Sequence, residues 1–282
     1  MTSPPENREF LLPGQRGGPG RLARARDRLL DARLALARSG ARLDELAGAI
    51  PARDVLVLSI HRPGSEELAR ALDELRRTRH SLRVALGAMG DAGPGLAADT
   101  VATHLEGGKF ENLNAVTAAA GNGAAADWTL VIDDDVRLPD RFLDRFIGVC
   151  ETLELALAQP AQSLASFAGW PHTRRRAGTM ARETRFVEIG PVTCFRRDAF
   201  AGLTPFPALR FGWGLDLHWA AVAAERGWRL GIVDALPVRH EHAVAAAYSS
   251  RDAIEEARSF LAGHPFVESS RASEVVRAHP LP

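Results

Sequence analysis

Leu130-Val131-Ile132-Asp133-Asp134-Asp135-Val136 is the stretch of this chain that decides its fold. With Trp128-Thr129 ahead of it, the apolar part makes a short run of the kind that is buried on both faces of a sheet. Three carboxylates end that run. Adjacent carboxylates repel, so a fold that keeps them together needs a cation or another compensating partner. Side chains alternate along an extended chain, which puts Asp133 and Asp135 on one side and Asp134 on the other. Two oxygen ligands on one side suit Mg²⁺ or Mn²⁺, hard ions that complete their shells with water and phosphate oxygens. A solvated acidic turn, or carboxylates capping a helix near Arg141, is the competing reading. The position directly behind a buried strand favours the metal.

Working outward, the segments alternate. Val55 to Ile60 reads as a buried strand, Ser65 to Arg79 as a helix capped by Ser65, and Ser81 to Leu86 as a strand. Lys109 to Ala120 reads as a helix, and Arg141 to Leu157 as another after Leu138-Pro139. Phe186 to Phe195 is strand-rich but interrupted by Gly190-Pro191; Leu217 to Glu225 is helical, Trp228 to Val233 a strand, and Arg251 to Leu261 a helix before an ill-defined tail. This alternation predicts an α/β fold with a mostly parallel central sheet and helices on both faces. Ligands in such sheets bind beyond the carboxyl ends of the strands, where Asp133 to Asp135 lie.

Ahead of this domain, the first twenty residues are rich in Pro and Gly and are expected to be mobile. Arg21 to Ala49 reads as two helical segments broken at Ser39-Gly40, with seven arginines against three aspartates between Arg21 and Asp44. The expectation is an amphipathic extension packed on the main domain, with its arginines in solvent. An oligomer contact and a membrane-surface anchor are the alternatives.

Lys plus Arg and Asp plus Glu are both 35 in 282 residues, so overall charge makes no case for a nucleic-acid partner. Cys150 and Cys194 have no metal-ligand spacing and read as reduced thiols. No apolar run reaches the ~18–20 residues of a spanning helix, and residues 1–20 lack the apolar core of a secretory signal. A cytoplasmic location is expected.

The aspartate strand and its flanks resemble the DxD region of GT-A glycosyltransferases, especially the family-2-like group. Lys109-Phe-Glu-Asn-Leu-Asn114 is similar to the segment that leads into the same strand there, with Asn112 in place of the usual small residue. Ser59-Ile60-His61-Arg62-Pro63 resembles the loop that receives the nucleotide base. The likeness covers about Asp54 to Pro139. It implies that Ser59 and Arg62 lie by the base or ribose, that Lys109 and Asn114 steady the nucleotide pocket, and that Asp133, with Asp134 beside it, faces the ribose or donor sugar. It gives Asp135 the metal on the diphosphate. The same resemblance divides the chain into an extension (1–50), a catalytic domain (51–250) with nucleotide-sugar (51–139) and acceptor (140–250) halves, and a C-terminal helix and tail (251–282).

In the second half, Trp213-Gly214-Leu215-Asp216 opens a helix. Asp216 there is either a helix N-cap or, as the resemblance implies, the base that takes the acceptor hydroxyl proton. His240 and His242 follow a strand, and members of that group often supply a histidine near this point as a further metal ligand. In an extended segment the two face the same way; His240 is the closer match to a strand-end position. Trp170, Trp213 and Gly214 border the expected acceptor site, and the indoles could stack on a sugar ring. Arg174-Arg175-Arg176, with Arg182 and Arg185, reads as a solvated loop or as a lid over phosphate.

The resulting expectation is metal-dependent transfer of a sugar from a UDP or GDP sugar to a hydroxyl acceptor, with inversion. A nucleotidyltransferase is the enzymatic rival, but His61-Arg62-Pro63-Gly64 is not the Gly-rich phosphate loop it would carry. A non-catalytic sugar- or nucleotide-binding scaffold is the other.

Overall fold

The structure, a computed structural model, describes residues 20–36, 39–121, 126–242 and 249–281. The Pro/Gly-rich residues 1–19 lie outside that range. The extension forms α1 (Arg21–Leu36) and α2 (Ser39–Ala49). Next come β1 (Asp54–His61), α3 (Glu66–Leu75), β2 (Ser81–Ala88), β3 (Thr100–Ala102), α4 (Lys109–Ala119), β4 (Trp128–Ile132), β5 (Val136–Arg137) and α5 (Phe142–Thr152). The second half holds β6 (Leu155–Gln162), β7 (Thr179–Thr184), β8 (Val192–Arg196), α6 (Arg197–Leu203), α7 (Leu215–Arg226) and β9 (Arg229–His240). Finally α8 (Ser250–Ala262), α9 (Ser269–Ala272) and β10 (Val275–Pro280) close the chain.

These elements build the α/β fold expected from the sequence, around a ten-stranded sheet of order β10-β7-β9-β6-β8-β4-β1-β2-β3, with β5 pairing β9. Pairing is parallel through β3, β2, β1 and β4. Antiparallel pairings gather in the second half, where β8 runs against both β4 and β6. Period-2 alternation sends the side chains of β1 into two cores. Leu56 and Leu58 pack with Phe110, Leu113 and Val116 of α4 on one face. Val55 and Val57 pack on the other with Leu68 and Leu72 of α3, Phe142 and Phe146 of α5, and Leu43 and Leu46 of α2. At roughly 1.5–3 kcal/mol for each fully buried large apolar side chain, these two layers fix β4 at the centre of the sheet.

Several expectations change. The helix read through Leu157 stops at Thr152, and Leu155 onward is the fully buried strand β6. Leu and Ala are good helix formers, but Glu154 turns the chain with φ 54°, and pairing with β8 and β9 overrides propensity. Ser65 does not cap α3 through its side chain; its hydroxyl goes to Arg62 O and Asp134 instead. The tail ends in an ordered strand, β10, paired with β7.

The arginine segment is neither a free loop nor a lid. Arg174 donates to the carbonyls of Ser163 and Leu164, and Arg175 pairs with Asp27 and Asp31 of α1. Arg182 forms a buried pair with Asp234, and Arg185 pairs with Glu274. These contacts bind the extension and the tail to the sheet.

Candidate active site

Every feature of the site starts from the end of β4. The Asp133 amide donates to Pro191 O at 2.8 Å, and the Asp133 carboxylate meets Lys109 Nζ at 2.6 Å. Lys109 is the first residue of α4 and also donates to Ile189 O. Gly190 lies against this pair: a Cβ there would sit 3.0 Å from both Asp133 Oδ2 and Lys109 Nζ. A side chain at this position would therefore push against the pair, so glycine is favoured here by close approach rather than by backbone conformation.

Asp134 points the other way, as alternation predicts. Its carboxylate accepts from Arg62 N (2.9 Å), Arg62 Nε (3.0 Å), Arg62 Nη2 (2.7 Å) and Ser65 Oγ (2.8 Å). Burial pushes this carboxyl up, but the hydrogen bonds from Arg62 and Ser65 outweigh it and hold it below its ordinary value. Asp134 thus braces the loop after β1 against the aspartate turn, and Arg62 spends two guanidinium nitrogens on that brace.

Asp135 meets the far half of the chain. β5 pairs with the end of β9 in the register Val136 to His240, and Glu241 N donates to Asp135 O. This brings His240 Nε2 to 3.0 Å from Asp135 Oδ1 and His242 Nδ1 to 2.8 Å from Oδ2. Burial raises the Asp135 carboxyl, yet the two imidazoles more than offset it and its pKa lies below the usual value. His240 shows the mirror image, with burial lowering its pKa and Asp135 raising it further than that. His240 Nδ1 faces the Phe167 carbonyl at 3.2 Å, so that nitrogen is the donor and Nε2 is the atom turned to the carboxylates. Metal-bound histidines are oriented in the same way, by a carbonyl on the other ring nitrogen.

Asp133, Asp135 and His240 each offer a ligand atom within 4.8 Å of the others. Two carboxylates and one imidazole, half-buried and correctly oriented, fit a divalent cation of the Mn²⁺ or Mg²⁺ type. His242 touches Asp135 as well, but its side chain is 60% exposed against 13% for His240, which favours His240.

A second carboxylate group lies behind this centre. Gly214, with φ 86°, is the residue before α7 and a conformation that side chains resist; Asp216 stands in the first turn rather than at the cap. Asp216 is buried, accepting from its neighbour Leu217 N at 3.0 Å and from Trp170 Nε1 at 3.2 Å. Burial pushes its pKa up to about 7. The segment carrying Trp170 is tied in turn to Glu188, which the sequence reading passed over. Glu188 accepts from Gly169 N, Gln162 Nε2 and Thr173 Oγ1, and burial lifts it to about 7, opposed by Gln162 and assisted by the Asp216 charge. Gln162 accepts from Ser166 Oγ, which accepts from His240 N. One buried polar chain therefore joins the histidine end of β9 to the surroundings of Asp216. A lone acid inside Phe186-Val187-Glu188-Ile189 was its signal in the sequence.

Other expected site residues lie deeper. Ser59 is fully buried, and its hydroxyl has no partner among the described residues. Asn114 uses both ends of its amide on the Phe206 backbone, at 2.8 Å each, and so pins that turn. Trp170 and Trp213 are only 8% and 9% exposed, packed in the core that contains Phe186.

No protein-family model matches the chain, and no curated protein sequence matches it. Solved structures do. Mannosyltransferase PcManGT from Pyrobaculum calidifontis, in complex with GDP-Man and Mn²⁺, matches with a TM-score of 0.52 at 15% identity, over 89% of this chain and 79% of that one. TarS 1-349 from S. aureus, in complex with UDP-GlcNAc, matches with a TM-score of 0.53 at 13% identity, over 77% and 69%. The chain has the GT-A fold.

Proposed function

We propose that this protein transfers a sugar from a UDP or GDP sugar to a hydroxyl group of a saccharide or small-molecule acceptor, using Mn²⁺ or Mg²⁺. The observation that carries the reading is the convergence of Asp133, Asp135 and His240 to within 4.8 Å at the carboxyl end of β4. The fold supports it, being shared with proteins solved with GDP-Man and with UDP-GlcNAc. A cation held by Asp135 and His240 would supply positive charge against the leaving diphosphate, and the imidazole among its donors would favour Mn²⁺ over Mg²⁺.

Asp135 and His240 hold the cation, and Asp133, partly exposed and paired with Lys109, faces the ribose or donor sugar. Arg62 and the strand end at Ser59 border the base, with Asp134 fixing Arg62 in place. Asn114 shapes the pocket through the Phe206 turn. Trp170, Trp213 and Gly214 wall the acceptor side. Asp216 is the general base. As the acceptor oxygen bonds to the anomeric carbon, the bond from that carbon to the diphosphate oxygen breaks, and the hydroxyl proton passes to the Asp216 carboxylate. Attack from the face opposite the leaving group inverts the configuration. A carboxyl poised near 7 suits this task, since a base works best when its pKa lies near the working pH.

A screen of nucleotide sugars for released nucleoside diphosphate, run on the protein and on Asp135→Ala, tests the reading. Calorimetry with UDP and GDP, with and without Mn²⁺, accompanies it. Metal-dependent nucleotide binding that Asp135→Ala abolishes is the expected result. Binding that ignores the metal would sink the cation site, and a product that retains the donor configuration by proton NMR would sink Asp216 as base.

A further inference from the structure

The outer face of α1 carries an apolar stripe that nothing among the described residues covers. Leu22, Leu29 and Leu36 are 65%, 54% and 84% exposed and stand seven residues apart. At 3.6 residues per turn, Ala25 and Ala32 fall between them on the same stripe. Arg26 and Arg33 flank it on one side, Arg21 and Arg28 on the other, all exposed. The two acids of the helix are withdrawn from that face. Asp27 is buried, accepting from Leu164 N and Ala165 N, and Asp31 is paired with Arg175. The charge that flanks the stripe is therefore wholly positive. Beside its inner edge is a cleft of about 350 Å³, lined by Leu30, Leu34 and Leu281 and by Arg33, Arg175 and Arg176.

We infer that α1 docks this protein on an anionic phospholipid surface, with the leucine stripe entering the interface and the arginines meeting headgroup phosphates. The charge pattern selects this occupant. Self-pairing through the stripe would set arginine rows against arginine rows, an arrangement that like charges oppose. The helix is also only 16 residues long, about two heptads, where coiled coils sustain three or four. A bilayer with negative headgroups satisfies the stripe and the flanks together. No helix among the described residues is long and apolar enough to cross a membrane, so this is surface attachment.

Flotation with phosphatidylglycerol–phosphatidylcholine vesicles and with phosphatidylcholine vesicles tests it on the full chain. Binding should be confined to the anionic vesicles and weaken when NaCl is raised from about 0.1 to about 0.5 M. The variant Arg26→Gln/Arg28→Gln/Arg33→Gln should lose about 100-fold in partitioning, at about fivefold per arginine. Leu22→Ser/Leu29→Ser/Leu36→Ser should lose more than about tenfold. Both variants change exposed positions, so an unchanged melting temperature is required of each. Failure of the native protein to float with anionic vesicles overturns the inference, as does equal flotation of the leucine variant. A dimer that the leucine variant abolishes, without vesicle binding, would assign the face to a second copy and overturn it too.

Discussion

Replacing Asp216 by asparagine should make the protein more stable at alkaline pH and nearly inactive. Burial lifts this carboxyl from 3.8 to about 7, a difference worth roughly 4 kcal/mol. The folded pKa is the higher one, so the bound proton stabilises the fold. That contribution is complete below about pH 4 and is lost as the pH rises through 7. Asparagine is neutral throughout and keeps it. The amide has one acceptor oxygen in place of two, so it forfeits one of the bonds from Leu217 N and Trp170 Nε1, at a cost of about 1 kcal/mol. The variant should then lead by roughly 3 kcal/mol at pH 8.5 and by under about 1 kcal/mol at pH 5, falling level or slightly behind only near pH 4. For a protein of this size that is a melting-temperature difference climbing from about 1–3 °C at pH 5 to roughly 6–12 °C at pH 8.5. Glu188, also lifted to about 7, is present in both proteins and largely cancels. Melts in EDTA from pH 5 to 9 read the stability, and released nucleoside diphosphate reads the rate. The rate should fall by ~10²–10⁴-fold in the variant, and native kcat should decline below pH 7 as Asp216 takes up its proton. A stability difference that stays flat with pH refutes the buried, lifted carboxyl. A kcat within tenfold of native refutes the base.

Asp134→Ala should cost about 2–3 kcal/mol in urea melts, since Arg62 and Ser65 lose their shared acceptor and Arg62 is partly in solvent. Its Mn²⁺ affinity by calorimetry should stay within about threefold, because Asp134 faces away from the ligand atoms. Gly190→Ala should weaken nucleotide-sugar binding by about 5–100-fold, the ~1–3 kcal/mol of an overpacked site, because the new methyl meets Asp133 and Lys109 on the sugar side. Glu188→Ala should destabilise by about 3 kcal/mol or more by leaving Gly169 N, Gln162 Nε2 and Thr173 Oγ1 without their acceptor. Glu188→Gln should restore over half of that in the same melts, because its amide keeps one oxygen.

The parallel half of the sheet was legible because each strand there is a run of β-branched and large apolar residues closed by a polar end, as in Val55 to Ile60 and Trp128 to Ile132. The opposed directions of Asp133 and Asp134 followed from strand alternation alone. β6 was not legible: Leu155-Ala156-Leu157-Ala158 carries helix-forming residues, and only its neighbours β8 and β9 make it a strand. The arginines around 174–185 looked free because their acids lie far off in sequence, at Asp27, Asp31, Asp234 and Glu274. Glu188 escaped for the same reason, since its three donors belong to residues 162–173 and mark no local motif.

The pairing of β5 with the end of β9 has a practical consequence. It brings together side chains as far apart in the chain as Asp135 and His242, 107 residues from each other. An unfolded chain cannot assemble that cluster, so any ion or nucleotide that binds it binds the folded state alone. Ligand at 100 times its dissociation constant then adds about 2.7 kcal/mol to unfolding. The melting curve thus becomes a detector that needs no knowledge of the substrate. Heating the protein with a panel of cations, then with nucleotides in the presence of the best of them, would rank ligands before any product has been identified.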